Sequence, residues 1–255
     1  MTKTIAIAGK GGTGKTTIAA LLIKLLSQKG LVLAVDADPS TNLNQALGLP
    51  LDENRTVGRI REKMVEDVAK GRLSPLVTKQ DHMFGKIIES LIESKGFDLI
   101  AMGRPEGPGC YCAHNEFLRA VLDRLVKDYK YNYIVMDCEA GMEHISRQTT
   151  RDIDVLLIIS DPTMRGITTA VRIKALITEL RSRIENVKLV INRVNGKVSP
   201  EMEKTIVDSG LELIMEINED HYIADLDAKG IALTELPPDS ALQQGVREIV
   251  SKLGL

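Results

Sequence analysis

Residues 9–16 read Gly-Lys-Gly-Gly-Thr-Gly-Lys-Thr, directly after the apolar run Ile5–Ala8 and at the start of a helical pattern over Lys15–Gln28. Strand, glycine-rich loop and helix in this order satisfy the pattern G-x-x-x-x-G-K-[ST], which binds nucleotide phosphates. The glycines let the backbone approach phosphate oxygens closely, and the N-terminus of the helix adds partial positive charge. The segment therefore predicts a nucleotide site. The alternative is a glycine turn with an incidental Lys-Thr pair.

The phosphate loop also predicts which residues contact the nucleotide. Lys15 is expected to bridge the β- and γ-phosphates, and the hydroxyl of Thr16 is expected to ligate Mg²⁺. The candidate nucleotide contacts from this segment are Gly9, Lys10, Gly11, Gly12, Thr13, Gly14, Lys15, Thr16 and Thr17.

Short apolar runs alternate along the chain with longer segments that carry apolar residues at helical spacing. The predicted strands are Ile5–Ala8, Val32–Val35, Asp98–Met102, Tyr133–Met136, Val155–Ile159, Val187–Ile191 and Glu212–Met215. The predicted helices are Lys15–Gln28, Asn115–Lys127, Ile167–Ile184 and Ser199–Asp208. This alternation predicts one domain over residues 1–255 with a doubly wound α/β fold. We expect a mostly parallel sheet of about seven strands, helices on both faces, and ligands at the carboxyl ends of the strands.

Two segments admit more than one interpretation. Pro50–Asp81 has turn signals and weak periodicity, so it is either an insertion that moves or a pair of helices. Ser240–Leu253 places apolar residues on one helical face, so it is either a helix packed on the sheet or a helix at a membrane surface. The lack of bulky aromatics and of a dense basic face favours packing on the sheet.

The composition bears on partners and location. A formal net charge of −2 over 255 residues gives no basic surplus, so no nucleic-acid partner is expected. No apolar run approaches the roughly 20 residues that span a bilayer, so no membrane partner is expected. The three cysteines make a poor disulfide framework, and we expect a cytoplasmic protein whose thiols are available for metal or redox chemistry.

Lys10 lies inside the loop, directly after its first glycine. With this lysine the segment resembles the deviant Walker A motif of the MinD/ParA/nitrogenase-iron-protein group of P-loop ATPases. In that group the signature lysine reaches the nucleotide of the partner subunit. The resemblance implies an ATP-dependent homodimer that hydrolyses ATP to ADP, with Lys10 and Lys15 as catalytic residues. For Lys10 taken alone, the alternative is a solvated loop lysine.

Acidic residues follow two of the predicted strands, at the edge where ligands bind. Asp36 and Asp38 come after the second strand, and Asp137 comes after the fourth. The resemblance implies that Asp38 orients the attacking water, that Asp36 supports the Mg²⁺ environment and that Asp137 holds Mg²⁺ through a water. It also implies that Gly141 offers its N–H to the γ-phosphate. With Thr16, the three aspartates are the candidate Mg²⁺ residues, and the alternative for each is an ordinary helix or turn cap.

Two further segments resemble the adenine site of the same ATPases. Asn192-Arg193 follows the strand Val187–Ile191 and matches the position that reads adenine, where an asparagine amide satisfies both a donor and an acceptor. Pro237, in Pro-Pro-Asp at 237–239, matches the loop that flanks adenine and ribose. Plain turn chemistry is the alternative for both segments.

Cys110 and Cys112 stand one residue apart, in Pro-Glu-Gly-Pro-Gly-Cys-Tyr-Cys at 105–112. Two thiolates form half of a tetrahedral site, and the expected dimer brings the number to four. The pair is therefore predicted to bind a metal ion between two subunits; the alternative is a pair of buried or incidental cysteines. His114 is an accessory ligand or a polar residue of the next helix, and Cys138 is expected to be a small buried residue, with a metal ligand as the alternative.

Three segments together resemble a narrower group. They are the phosphate loop, Met-Gly-Arg-Pro-Glu-Gly-Pro-Gly-Cys-Tyr-Cys at 102–112, and Asp-Cys-Glu-Ala-Gly-Met-Glu-His at 137–144. They are similar to the CooC/AcsF group of nickel-insertion ATPases, which mature carbon monoxide dehydrogenase and acetyl-CoA synthase. The resemblance implies a metallochaperone that takes Ni²⁺, or Zn²⁺ in the same site, and a client apo-enzyme of one of these two kinds.

Two other functions are compatible with the same motifs. An ATP-dependent reductase would hold an iron–sulfur cluster on four cysteines of a dimer. In the nitrogenase iron protein, however, the cluster cysteines are far apart in sequence. A partition or positioning ATPase would bind DNA or membrane, and it leaves the Cys-Tyr-Cys segment unexplained.

Overall fold

The computed structural model describes residues 2–72, 79–103, 120, 122–138, 152–179 and 183–255. Within these residues, eight strands form one sheet. They are β1 (Lys3–Gly9), β2 (Val32–Asp36), β3 (Ile92–Ser94), β4 (Phe97–Ala101), β5 (Tyr133–Asp137), β6 (Asp152–Ser160), β7 (Arg183–Val194) and β8 (Glu212–Asn218). Their spatial order is β3-β4-β2-β5-β1-β6-β7-β8, and every neighbouring pair except β3–β4 is parallel.

The helices connect these strands. They are α1 (Lys15–Leu26), α2 (Leu43–Ala46), α3 (Val57–Ala69), α4 (Lys79–Ser90), α5 (122–128), α6 (Met164–Glu179), α7 (Pro200–Asp208), α8 (Tyr222–Lys229) and α9 (Ala241–Lys252). Short 3₁₀ turns occupy Glu53–Arg55 and Leu233–Glu235.

The core is divided by the sheet into two apolar layers, because successive side chains of a strand point to opposite faces. Ile5 and Ile7 of β1 pack in the layer that contains α1 and α9. Ala6 and Ala8 pack in the layer that contains residues of α4, α5, α6 and α7. Both faces of a largely parallel sheet are therefore covered, which confirms the predicted doubly wound α/β fold.

The structure adds to the predicted elements and corrects some of them; α2 and α8, for example, were not predicted. An eighth strand, β3, pairs antiparallel with β4 at the edge of the sheet. The described residues of the segment Pro50–Asp81 contain a 3₁₀ turn, all of α3 and the start of α4, as the helix-pair interpretation expects. Of the helix predicted over Ile167–Ile184, the described part reaches Glu179, and Ile184 belongs instead to β7.

The last helix packs on the sheet. Leu242, Val246 and Ile249 of α9 are fully buried, so the apolar face of this helix is already covered by the protein. Within the described ranges, no helix has the length and apolar character needed to cross a membrane.

The packing of α9 predicts that replacing its glycine by alanine destabilises the protein, whereas the same change in an exposed helix is stabilising. In an exposed helix position, Gly→Ala stabilises by about 0.5–1 kcal/mol. A Cβ at Gly245 of α9 would lie 2.7 Å from Cγ1 of the buried Ile217, a contact too short to be kept unless an atom shifts. We expect Gly245→Ala to lower the free energy of unfolding by about 1–3 kcal/mol.

Gly85 of α4 is the matched control, because a Cβ there would meet no atom within 4 Å. Gly85→Ala should leave the free energy of unfolding unchanged or raise it. Urea denaturation followed by circular dichroism measures both. Equal effects of the two substitutions would contradict the close packing of α9 on β8.

Candidate nucleotide-binding site

The phosphate loop joins the end of β1 to the start of α1 at the carboxyl edge of the sheet. Its glycines at positions 9, 12 and 14 have positive φ angles of 147°, 79° and 90°. At Gly9 a Cβ would lie 2.1 Å from the carbonyl oxygen of Ile159 in β6. A side chain at this position is excluded by the neighbouring strand, so the loop can leave the sheet only through a glycine.

Asn192, at the end of β7, holds the loop from the side. Its Nδ2 donates a hydrogen bond of 2.9 Å to the carbonyl oxygen of Thr13, and the residue is 2% exposed. A Cβ at Gly14 would lie 2.5 Å from the same Nδ2. Asn192 therefore lies against the loop, and one of its two amide N–H groups is already used there.

Two lysines of the loop have different surroundings. Lys15 is 8% exposed, and its ammonium donates to the carbonyl oxygen of Lys10 at 3.3 Å, which places the charge inside the loop. Lys10 is partly exposed, and its ammonium forms an ion pair of 3.0 Å with Asp161, one residue past the end of β6. Lys15 therefore faces the predicted phosphate position, whereas Lys10 lies at the outer side of the loop.

Thr16 and Asp137 form the part of the site that fits a divalent cation. The Thr16 hydroxyl donates to Oδ2 of Asp137 at 2.6 Å, and Asp137 is 2% exposed. Oδ1 of Asp137 is buried without a hydrogen-bond partner, a property that among the described side chains it shares with Oδ1 of Asn44. Burial raises the pKa of Asp137 to about 6. A hydroxyl beside an unpartnered buried carboxylate oxygen is a donor set that suits Mg²⁺.

Asp36 and Asp38 lie on the neighbouring strand end. Asp36 is fully buried, and its carboxylate accepts hydrogen bonds from the backbone N–H groups of Asp38 at 3.1 Å and Leu43 at 3.0 Å. Burial, and next the charge of Asp137, raise the pKa of Asp36 to about 7. Asp38 is partly exposed and accepts from the N–H of Ser40 at 2.8 Å.

These bonds show that Asp36 shapes the loop after β2, whatever its role toward Mg²⁺. In the described part of the chain, no group of three or more His, Cys, Asp or Glu side chains is placed to hold a metal ion. A Mg²⁺ ion here would therefore take most of its ligands from the Thr16 hydroxyl, water and phosphate oxygens, as this ion usually does.

The remaining predicted residues fall into two sets. Thr17 lies in the first turn of α1, Arg193 is exposed with a φ of 60°, and Pro237 is half-buried after the 3₁₀ turn Leu233–Glu235. Gly141, Cys110, Cys112 and His114 lie outside the described residues. Their predicted roles, like those of all the site residues, stay predictions.

Cys138 follows Asp137 and is 2% exposed, as expected for a small buried residue. Burial raises the pKa of its thiol, so the thiolate that metals bind is disfavoured there. Asp161, which pairs with Lys10, 151 positions away, was not predicted from the sequence. Its place two residues after the predicted strand Val155–Ile159, at the ligand edge of the sheet, is the available signal.

The strand, the glycine loop with its buried lysine, and the Thr16–Asp137 pair define a P-loop nucleotide-binding protein. The chain belongs to the family of the CobQ/CobB/MinD/ParA nucleotide binding domain, whose model matches residues 4–233.

Relatives support the same assignment over the whole length. The uncharacterized ATP-binding protein MJ0685 of Methanocaldococcus jannaschii is 43% identical over 98% of this chain and 97% of its own. The carbon monoxide dehydrogenase accessory protein CooC of Rhodospirillum rubrum is 30% identical over 92% of this chain and 90% of its own. Among solved structures, MinD of Pyrococcus horikoshii complexed with Mg-ADP shares the fold, with a TM-score of 0.70 and 20% identity over 99% of this chain and 96% of that one.

The Thr16 hydroxyl allows a direct test of the cation site. We expect Mg²⁺ to tighten ADP binding in the wild type, and Thr16→Ala to lose about tenfold or more of that tightening because the hydroxyl ligand is gone. Thr16→Ser keeps the hydroxyl and is the matched control. Isothermal titration of ADP into the three proteins, with and without Mg²⁺, gives the six affinities needed. The same Mg²⁺ effect in Thr16→Ala as in the wild type would place the cation elsewhere.

Proposed function

We propose that the protein is an ATP-hydrolysing metallochaperone, which binds a metal ion between two subunits and inserts nickel into carbon monoxide dehydrogenase or acetyl-CoA synthase. The observation that carries the proposal is the presence, in one chain 30% identical to CooC, of both the lysine-bearing phosphate loop and the Cys-Tyr-Cys segment at 110–112. The loop supplies the energy-using step, and the two thiols supply soft metal ligands.

The nucleotide-binding part of the proposal rests on the site geometry. Lys15 neutralises phosphate charge from inside the loop, and Thr16 with Asp137 holds Mg²⁺, which when bound neutralises charge between the phosphates. Asp38, partly exposed beside this pair, orients the attacking water. The solved MinD complexed with Mg-ADP supports ADP and Mg²⁺ as ligands, and the relative described as an ATP-binding protein supports ATP.

The dimerisation part of the proposal rests on Lys10. Its ion pair with Asp161 is partly exposed, and pairs of this kind contribute about 0–1 kcal/mol. A triphosphate on a partner subunit carries several negative charges, so exchange of Asp161 for that ligand is favourable. Lys10 then completes the partner's site, and ATP draws two subunits together.

The metal-binding part of the proposal rests on the place where the chain leaves the sheet toward the cysteine segment. Met102 follows β4, and its N–H donates to the carbonyl oxygen of Asp36 at 2.8 Å. The carbonyl oxygen of Met102 accepts from the N–H of Gly58 at the start of α3, also at 2.8 Å. The chain that leads to Cys110 and Cys112 thus leaves the sheet at its nucleotide edge, beside the loop that carries Asp38.

A metal titration tests the thiol pair. With a non-hydrolysable ATP analogue present, we expect one Ni²⁺ per two chains, and we expect Cys110→Ser/Cys112→Ser to abolish that binding because two thiolates per chain are lost. Cys138→Ala is the control, since Cys138 is buried and its loss should leave the stoichiometry unchanged. Equilibrium dialysis with metal analysis gives the ratio. One ion bound fully by each monomer, with or without nucleotide, would contradict the proposal.

Lys10 gives a second test. Lys10→Ala should bind ADP within about twofold of the wild type, because Lys15 and Thr16 are intact. It should lose ATP-dependent dimerisation and at least about 100-fold in hydrolysis rate, as expected when a charge that stabilises the transition state is removed. Sedimentation velocity and phosphate release measure the two effects. Wild-type hydrolysis by a monomeric Lys10→Ala protein would show that no partner lysine is needed.

A further inference from the structure

Asp220 connects two loops at the nucleotide edge of the sheet. It lies between β8 and α8 and is 8% exposed. Its Oδ2 accepts hydrogen bonds from the hydroxyl of Ser240 at 2.6 Å and from the N–H of Leu242 at 3.0 Å, and its Oδ1 accepts from the N–H of Tyr222 at 3.1 Å. Ser240 and Leu242 form the N-terminus of α9, whose partial positive charge also favours the carboxylate.

Ser240 links Asp220 to the segment around Pro237 by hydrogen bonds. Its hydroxyl accepts from the N–H of Gln243 at 3.2 Å while it donates to Asp220, and its N–H donates to the carbonyl oxygen of Pro237 at 3.0 Å. Nε2 of Gln243 donates to the carbonyl oxygen of Leu236 at 3.0 Å. Ser240 is fully buried and Gln243 is 7% exposed, so this network is shielded from water and fixes the backbone on both sides of Pro237.

Glu219, the residue before Asp220, links this network to the strand end that contains Asn192. The N–H of Glu219 donates to the carbonyl oxygen of Val194 at 3.0 Å, two residues after Asn192. A cavity of about 730 Å³ opens at this point, between the ends of β7 and β8, and Asp220 is among its lining residues. The two segments expected to contact the base, at Asn192 and at Pro237, are therefore joined through residues 219 and 220.

We propose that Asp220 and Ser240 are positioning residues for the adenosine part of the nucleotide. They fix the Pro237 segment at a set position relative to Asn192, so that the base enters a preformed slot and no loop has to be ordered on binding. This inference rests on the proposed ATP site. The bonds that shape the phosphate end come from Asn192, Asp137 and Asp161, so loss of the Asp220 network acts on the adenosine end.

Comparison of ADP with pyrophosphate separates this role from a general effect on folding. Both ligands offer a diphosphate to the loop, and ADP alone adds adenosine. With Mg²⁺ present, we expect Asp220→Asn and the milder Ser240→Ala to weaken ADP binding about tenfold, and to change pyrophosphate binding less than twofold. Isothermal titration of both ligands on one sample makes the affinity ratio independent of any misfolded fraction.

Ser199→Ala is the matched control. The Ser199 hydroxyl also caps a helix, accepting from the N–H of Met202 at 3.3 Å, but α7 packs on the opposite face of the sheet from α9. The control should keep the wild-type ratio of ADP to pyrophosphate affinity. The same ratio in Asp220→Asn and Ser240→Ala would overturn the positioning role while leaving the ATP site in place. A wild type that binds pyrophosphate as tightly as ADP would instead contradict the proposed placement of adenosine.

Discussion

The hydrogen bond from Asn192 to the carbonyl oxygen of Thr13 is the contact on which the nucleotide site depends. It joins the end of β7 to the phosphate loop across the intervening strand β6. Gly14 must be a glycine because this amide lies where a Cβ would be. The residue expected to read the base is thus also the one that shapes the phosphate loop, so one side chain would connect the two ends of a bound nucleotide.

The same edge of the sheet contains two buried carboxylates whose pKa values are raised, to about 7 for Asp36 and about 6 for Asp137. Burying a carboxylate is unfavourable unless its oxygens are paired. Asp36 is compensated by two backbone N–H groups, whereas Asp137 has the Thr16 hydroxyl on one oxygen and no partner on the other. Of the two, Asp137 is the residue whose environment improves most when a cation arrives.

The sequence predicted those features whose signal is local. The strand–loop–helix of residues 5–26, and the strands on either side of β1, follow from continuous apolar runs and from glycine spacing. It missed β3, which has three residues and depends on pairing with β4. It also missed Asp161 and Asp220, because each acts through a partner distant in sequence: Lys10 is 151 positions from Asp161, and Leu242 is 22 positions from Asp220. Polar partners of this kind are set by topology, and no periodicity marks them.

Topology also governs how nucleotide and metal would be coupled in the proposed function. Coupling is reciprocal, so a nucleotide that tightens metal binding must itself bind more tightly when the metal is present. Such coupling needs a physical connection with two arrangements. The backbone carbonyl of Asp36 accepts a hydrogen bond from the N–H of Met102. Asp38 lies two residues after Asp36, and Cys110 lies eight residues after Met102. In the proposed function, a shift of the loop after β2 on ATP binding would reach Met102 through this hydrogen bond, and the chain continues from Met102 toward Cys110.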